Sequence, residues 1–138
     1  MDVKFDNVAV SVTDVAASAD WYSQLFGFKL GYQTHLAPLN ADFAVLERDD
    51  IRIELISQKG VRRHEDADID PPHHLAKTNI MAIVFSTEDL DAATARMEEM
   101  GVTFVWKNQT LSEDGLRSTM LRDPDGNMVN VLCYPPNG

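Results

Sequence analysis

One order of local patterns occurs twice in this chain: an alternating strand, an amphipathic helix, then three more strands. In the first half Val8, Val10 and Val12 share one strand face, with Asn7, Ala9 and Ser11 on the other. Thr13 and Asp14 stand where a helix cap belongs. Val15, Ser18, Tyr22, Leu25 and Phe26 then recur at helical spacing until Gly27 ends the run. FKLGYQT, DFAVLER and IRIELIS read as three strands, the last two joined at Asp49-Asp50. In the second half Met81, Ile83 and Phe85 alternate with Ala82, Val84 and Ser86, and Asp89 takes the cap position. Leu90, Ala93, Met97 and Met100 trace the helical stripe up to Gly101. VTFVWKN, LRSTMLR and MVNVLCY follow as strands, the last two joined by the turn Asp123-Pro124-Asp125-Gly126-Asn127.

A repeat of this kind constrains architecture more tightly than any single propensity. The expected fold is α+β: two tandem βαβββ modules forming cupped mixed sheets, each with a helix on its outer face. They make up one domain over residues 1–138, with the first module at about 1–57, a connection at about 58–78 and the second module at about 79–138. The connection, QKGVRRHEDADIDPPHHLAKT, has no apolar period and carries charge and Pro71-Pro72.

Each helix must cover one sheet face. The wholly apolar faces suit that role: Val8/Val10/Val12, Ile51/Ile53/Leu55, Met81/Ile83/Phe85 and Val129/Val131/Cys133. The opposite faces mix Asn7, Ala9 and Ser11 with Arg52, Glu54 and Ile56, and Ala82, Val84 and Ser86 with Met128, Asn130 and Leu132. Such a mixture describes the lining of a ligand site better than dry core or plain surface. Trp106 lies late in its strand, where an indole can stack on a flat ligand. The expected ligand-binding set is Asn7, Arg52, Glu54, Ala82, Trp106 and Asn130, and Arg52 and Glu54 are spaced to form a salt bridge.

Charge narrows the partners. Twelve Lys and Arg face 22 Asp and Glu, a formal net charge of −10. That balance argues against nucleic acid and anionic membrane and suits a cationic or neutral small molecule. The one cysteine, Cys133, cannot form an internal disulfide or a thiolate cluster, and it is expected to be buried and inert. No apolar run reaches membrane length, and MDVKFDNVAV lacks the layout of a secretion signal, so a cytoplasmic location is expected. His35, His64, His73 and His74 fall off the mixed faces.

The run from Asp14 through WYSQLFGF, Asp89-Leu90-Asp91-Ala92-Ala93 before Met100-Gly101-Val102, and above all Asp123-Pro124-Asp125-Gly126-Asn127 resemble the vicinal oxygen chelate superfamily. That group includes glyoxalase I, extradiol dioxygenases, fosfomycin-resistance enzymes and bleomycin-resistance proteins. The resemblance spans nearly the whole chain apart from the connection. It implies a divalent-metal position at Asn7, Glu54, Ala82 and Asn130, where only Glu54 keeps a typical ligand and Ala82 has no donor atom. Asn7 and Asn130 offer carbonyl oxygens, which suit Ca²⁺ or Mg²⁺ weakly and transition metals poorly.

The expectation is therefore a metal-independent protein of the bleomycin-resistance type, without cofactor, that sequesters a cationic or aromatic small molecule. Open sheet edges need cover and related binders pair modules across subunits, so a homodimer is expected. The alternative is a lyase, isomerase or epimerase of the same fold using Glu54 as general base or as part of a weak metal site. A third reading is an interaction module with a vestigial pocket.

Overall fold

Each half of the repeat closes its own sheet in the computed structural model, which describes residues 1–136. The first sheet holds β1 (Val8–Ser11), β2 (Lys29–Leu36), β3 (Ala41–Arg48) and β4 (Ile51–Gln58) in the order β1-β4-β3-β2, and α1 (Val15–Phe26) links β1 to β2. The second holds β5 (Ala82–Ser86), β6 (Thr103–Thr110), β7 (Arg117–Arg122) and β8 (Met128–Cys133) in the order β5-β8-β7-β6, and α2 (Leu90–Glu99) links β5 to β6. In both sheets the first strand pairs in parallel with the last, and every other pairing is antiparallel. This is the tandem βαβββ architecture read from the repeat. The chain divides into two units between residues 63 and 64; positions 137–138 of the expected second module lie outside the described residues.

Local chemistry sets the helix ends. The Asp14 carboxylate accepts from the Ala17 N–H at 3.1 Å and the Asp89 carboxylate from the Ala92 N–H at 3.0 Å, each satisfying a first-turn donor. Gly27 ends α1 at φ 72°, a left-handed conformation that costs glycine little. The helix α1 packs against β2, β3 and β4, and α2 against β6, β7 and β8. Tyr22, Ala44, Leu46, Ile53 and Leu55 are buried in the first unit, and Leu90, Met97, Leu121, Val129 and Val131 in the second.

Several expected core positions differ, with Val8, Val10, Ile83 and Phe85 only half-buried. Ile51, the first residue of β4, is 52% exposed, and Met81, just before β5, is 44% exposed. Cys133 is only half-buried, its Sγ lying 3.9 Å from the Glu88 carbonyl oxygen at the end of β8. The strand β2 also runs on past the expected FKLGYQT to take in His35, whose Nδ1 lies 3.0 Å from Asp42 Oδ1 on β3.

The segment from residue 64 to residue 78 belongs to the second unit and is tied to it. Arg122 at the end of β7, with only 8% of its surface exposed, donates to the carbonyls of Ala67, Ile69 (2.7 Å) and Gly126 (3.1 Å). Lys77 donates to Asp66 at 3.0 Å, and that hydrogen bond holds its ammonium above the ordinary lysine pKa. Asp123 shapes the neighbouring turn by accepting from the Asp125 and Asn127 N–H groups, both at 2.9 Å.

Candidate functional site

The pleat and the pairing register decide which side chains share the faces left uncovered by the helices. In the first unit Ala9 pairs with Glu54, Glu54 with Val45, Arg52 with Glu47, and Ile56 with Phe43. A bulge in β2 between Leu30 and Gln33 lets Tyr32 reach Phe43, with ring centroids 6.1 Å apart at 69°. Gly31 sits in that bulge, where a Cβ would lie 3.2 Å from the Val45 carbonyl oxygen and 3.4 Å from the Glu47 carboxylate. A side chain there would need one of these neighbours to give way slightly.

Asn7, Arg52 and Glu54 come together on this face, but not as the spacing suggested. Arg52 does not bridge to Glu54. It binds Asp6 at 2.8 Å and Glu47 at 3.3 Å, since neighbours on adjacent strands stand closer than residues two apart along one strand. Glu54, half-buried, instead accepts from Asn7 Nδ2 at 3.4 Å, and the same amide donates to Asp6 at 2.8 Å. The Nδ2 of Asn7 is thus shared between two carboxylates. This part of the face presents acceptors: the Asn7 amide oxygen and a carboxylate that no guanidinium of the described residues neutralises.

In the second unit Ala82 pairs with Met128 and Val84 with Asn130, while Met120 lies between Asn130 and Trp106 across three strands. Ala82, Asn130 and Trp106 thus share the face that α2 does not cover, where Ser118, Met120 and Met128 are themselves buried. Trp106 Nε1 donates to Ser118 Oγ at 2.9 Å, and the Ser118 hydroxyl donates to Asn130 Oδ1. Ser118 is fully buried. It was not anticipated: LRSTMLR places Ser118, Met120 and Arg122 on one face, but the bulges in β6 that bring Trp106 to Ser118 leave no mark in the periodicity. The side of Tyr32 leaves no mark either, since the bulge in β2 decides it, while Phe43 lies opposite Ile56 in a regular register on β3.

A wide cleft of about 730 Å³ opens elsewhere, on the helix side of the first unit, lined by Asp14, Ala16, Asp20, Leu30, His35 and Asp42 among others. Two of its polar groups already have structural duties, Asp14 as the cap of α1 and Asp42 as partner of His35. The cleft touches the mixed face only at Phe43. His64 accepts from the Asp66 N–H at 3.0 Å, and His73 belongs to a short 3₁₀ turn.

The donor set does not fit a transition metal. Ala82 has no donor, the Asn130 oxygen already accepts a hydroxyl proton, and the first unit offers one carboxylate and one amide oxygen. Among the described residues no three His, Cys, Asp or Glu side chains gather closely enough to hold an ion. Nor is any helix of the described residues long and apolar enough to cross a membrane.

Tandem βαβββ units, each with a mixed sheet face turned away from its helix, define a class of protein, and sequence comparison names it. The family model described as the Glyoxalase/Bleomycin resistance protein/Dioxygenase superfamily matches residues 4–131. The chain belongs to that superfamily. No curated protein sequence matches it. Among solved structures it is similar to a glyoxalase family protein from Enterococcus faecalis, with 18% identity, a TM-score of 0.77, and coverage of 94% of this chain and 96% of that one. A glyoxylase/bleomycin resistance protein/dioxygenase domain from Frankia sp. EAN1pec gives 18% identity and a TM-score of 0.76 over 99% of this chain and 95% of that one. The trypanothione-dependent glyoxalase I of Leishmania major gives 18% identity and a TM-score of 0.67 over 96% and 87%. At such identity these likenesses show the fold.

Proposed function

We propose that this protein binds a small molecule without a metal, as a sequestration-type member of its superfamily. One observation carries the reading. At the positions where the resemblance expects metal ligands, Ala82 supplies nothing and Asn130 spends its oxygen on Ser118. A family site stripped of its donors yet still lined by mixed polar and apolar side chains suits a ligand held by shape and hydrogen bonds. The uncompensated Glu54 and the net charge of −10 favour a ligand with a cationic group at the first unit, where Tyr32 and Phe43 favour a flat one; Trp106 favours a flat ligand at the second. We further propose a homodimer that works in the cytoplasm.

Ala82→Phe tests the reading directly. Ala82 is half-buried opposite Met128; on this reading the added ring enters ligand space rather than packed core, so the apo melting temperature should change little. Stabilisation by a compound found in a screen of small cationic and aromatic molecules should vanish. If Ala82→Phe unfolds the protein in the absence of any compound, that face is core and the reading fails.

A second reading has one observation in its favour. Because Arg52 is committed to Asp6 and Glu47, the Glu54 carboxylate faces a ligand with only a 3.4 Å bond from Asn7. That suits a general base in a lyase, isomerase or epimerase. Glu54→Gln separates the two: a binder loses affinity for cationic compounds and keeps neutral ones, whereas an enzyme loses turnover of both.

A further inference from the structure

The relay Trp106–Ser118–Asn130 has a direction. An indole N–H only donates, so Ser118 Oγ is the acceptor in its 2.9 Å contact with Trp106. The Ser118 hydroxyl proton then goes to Asn130 Oδ1. Turning the amide over would set Asn130 Nδ2 against Ser118 Oγ and leave the hydroxyl proton of a fully buried serine without that acceptor, the kind of loss a buried polar group resists. With Oδ1 spent, Asn130 has only Nδ2 to offer, and among the described residues nothing accepts from it.

We infer that the face of the second unit turned away from α2 carries a hydrogen-bond-donor subsite, the Nδ2–H of half-buried Asn130, held in orientation by Ser118 and Trp106 and made for a carbonyl or carboxylate oxygen of the ligand. Ser118 and Trp106 are positioning residues here: they set which end of the amide faces out. The inference rests on the proposed small-molecule function and adds the chemistry of one ligand group. It also gives the two units opposite preferences, acceptors from Asn7 and Glu54 in the first and a donor from Asn130 in the second. A cation is turned away from Asn130, because the oxygen that would coordinate it already holds the serine proton.

Benzoate and protonated benzylamine, matched in size and ring, test this by NMR of the ¹⁵N-labelled protein at about 0.15 M salt, where long-range charge is screened beyond about 8 Å. Benzoate should move the Asn130 side-chain amide resonances saturably, and benzylamine should leave them in place. Ser118→Ala should weaken the benzoate response about tenfold, as expected for a donor that is no longer held in place, and Ser118→Thr, which keeps the hydroxyl, should restore it. Should Ser118→Ala fail to fold, Asn130→Asp keeps the shape and the serine bond but has no donor, and it should abolish benzoate binding at this position. Unaltered benzoate binding in Ser118→Ala or Asn130→Asp overturns the inference, as does Mn²⁺ broadening Asn130 where benzoate does nothing. If benzoate shifts other residues of the uncovered faces but not Asn130, the donor subsite is wrong and the binding function stands. If neither compound shifts any residue of those faces, and the compound screen is equally silent, both fall.

Discussion

At the scale of single residues, Arg122 and Lys77 make an instructive contrast: Arg122 ties the segment between the two sheets to β7, whereas the Lys77–Asp66 pair ties that segment to itself. The Lys77 pair with Asp66 is exposed, and exposed pairs add little. Its raised pKa means that whatever it contributes is fully present below the unfolded lysine value of about 10.4 and fades only as pH climbs through the higher folded value. Arg122 is buried and feeds three carbonyls from one planar fork. Arg122→Ala should therefore cost about 2–4 kcal/mol in a urea melt and open residues 64–70 to limited proteolysis. Arg122→Lys should recover little, since one ammonium cannot reproduce the fork. Lys77→Ala should leave the melt unchanged across neutral pH. A similar melt for Arg122→Ala and wild type would show that the segment is held by something else. None of this was legible from RRHEDADID, which reads as a self-paired polar loop, because its anchor lies more than fifty residues away on β7.

Elements were read well where local chemistry sets them and poorly where pairing does. Asp14, Gly27, Asp89 and the Asp123–Asn127 turn announce boundaries through their own side chains, and the helices and turns fall there. The Arg52–Glu54 pair failed because register, not spacing along one strand, chose the partners of Arg52. Under α2 the same lesson recurs. Thr94 takes a place in the buried stripe and meets Thr119 Oγ1 at 2.7 Å, while the Asn108 N–H donates to Thr119 Oγ1 at 3.0 Å. That bond holds the bulge of β6, where Asn108 takes φ 49°. Thr119→Val should destabilise the protein by about 1–2 kcal/mol and speed hydrogen exchange at the Asn108 amide. Unchanged exchange at that amide would assign the bulge to some other cause.

For the whole molecule, the repeat carried most of the architecture, and the mixed faces carried the candidate site, with Ser118 as its hidden member. Each sheet ends on a short strand, β1 or β5, with one open edge, and such edges are stable when another strand or chain covers them. Light scattering at micromolar concentration should therefore report a dimer, with an interface of about 2,000 Å²; a monomer would contradict the proposed assembly. The central claim is that ligand binding here needs no metal. Wild-type protein treated with EDTA, shown by elemental analysis to be free of Zn, Ni, Mn and Fe, should still be stabilised saturably by the best compound of the screen, with the compound recovered unchanged. Stabilisation that disappears with EDTA and returns with one equivalent of a divalent metal would contradict it.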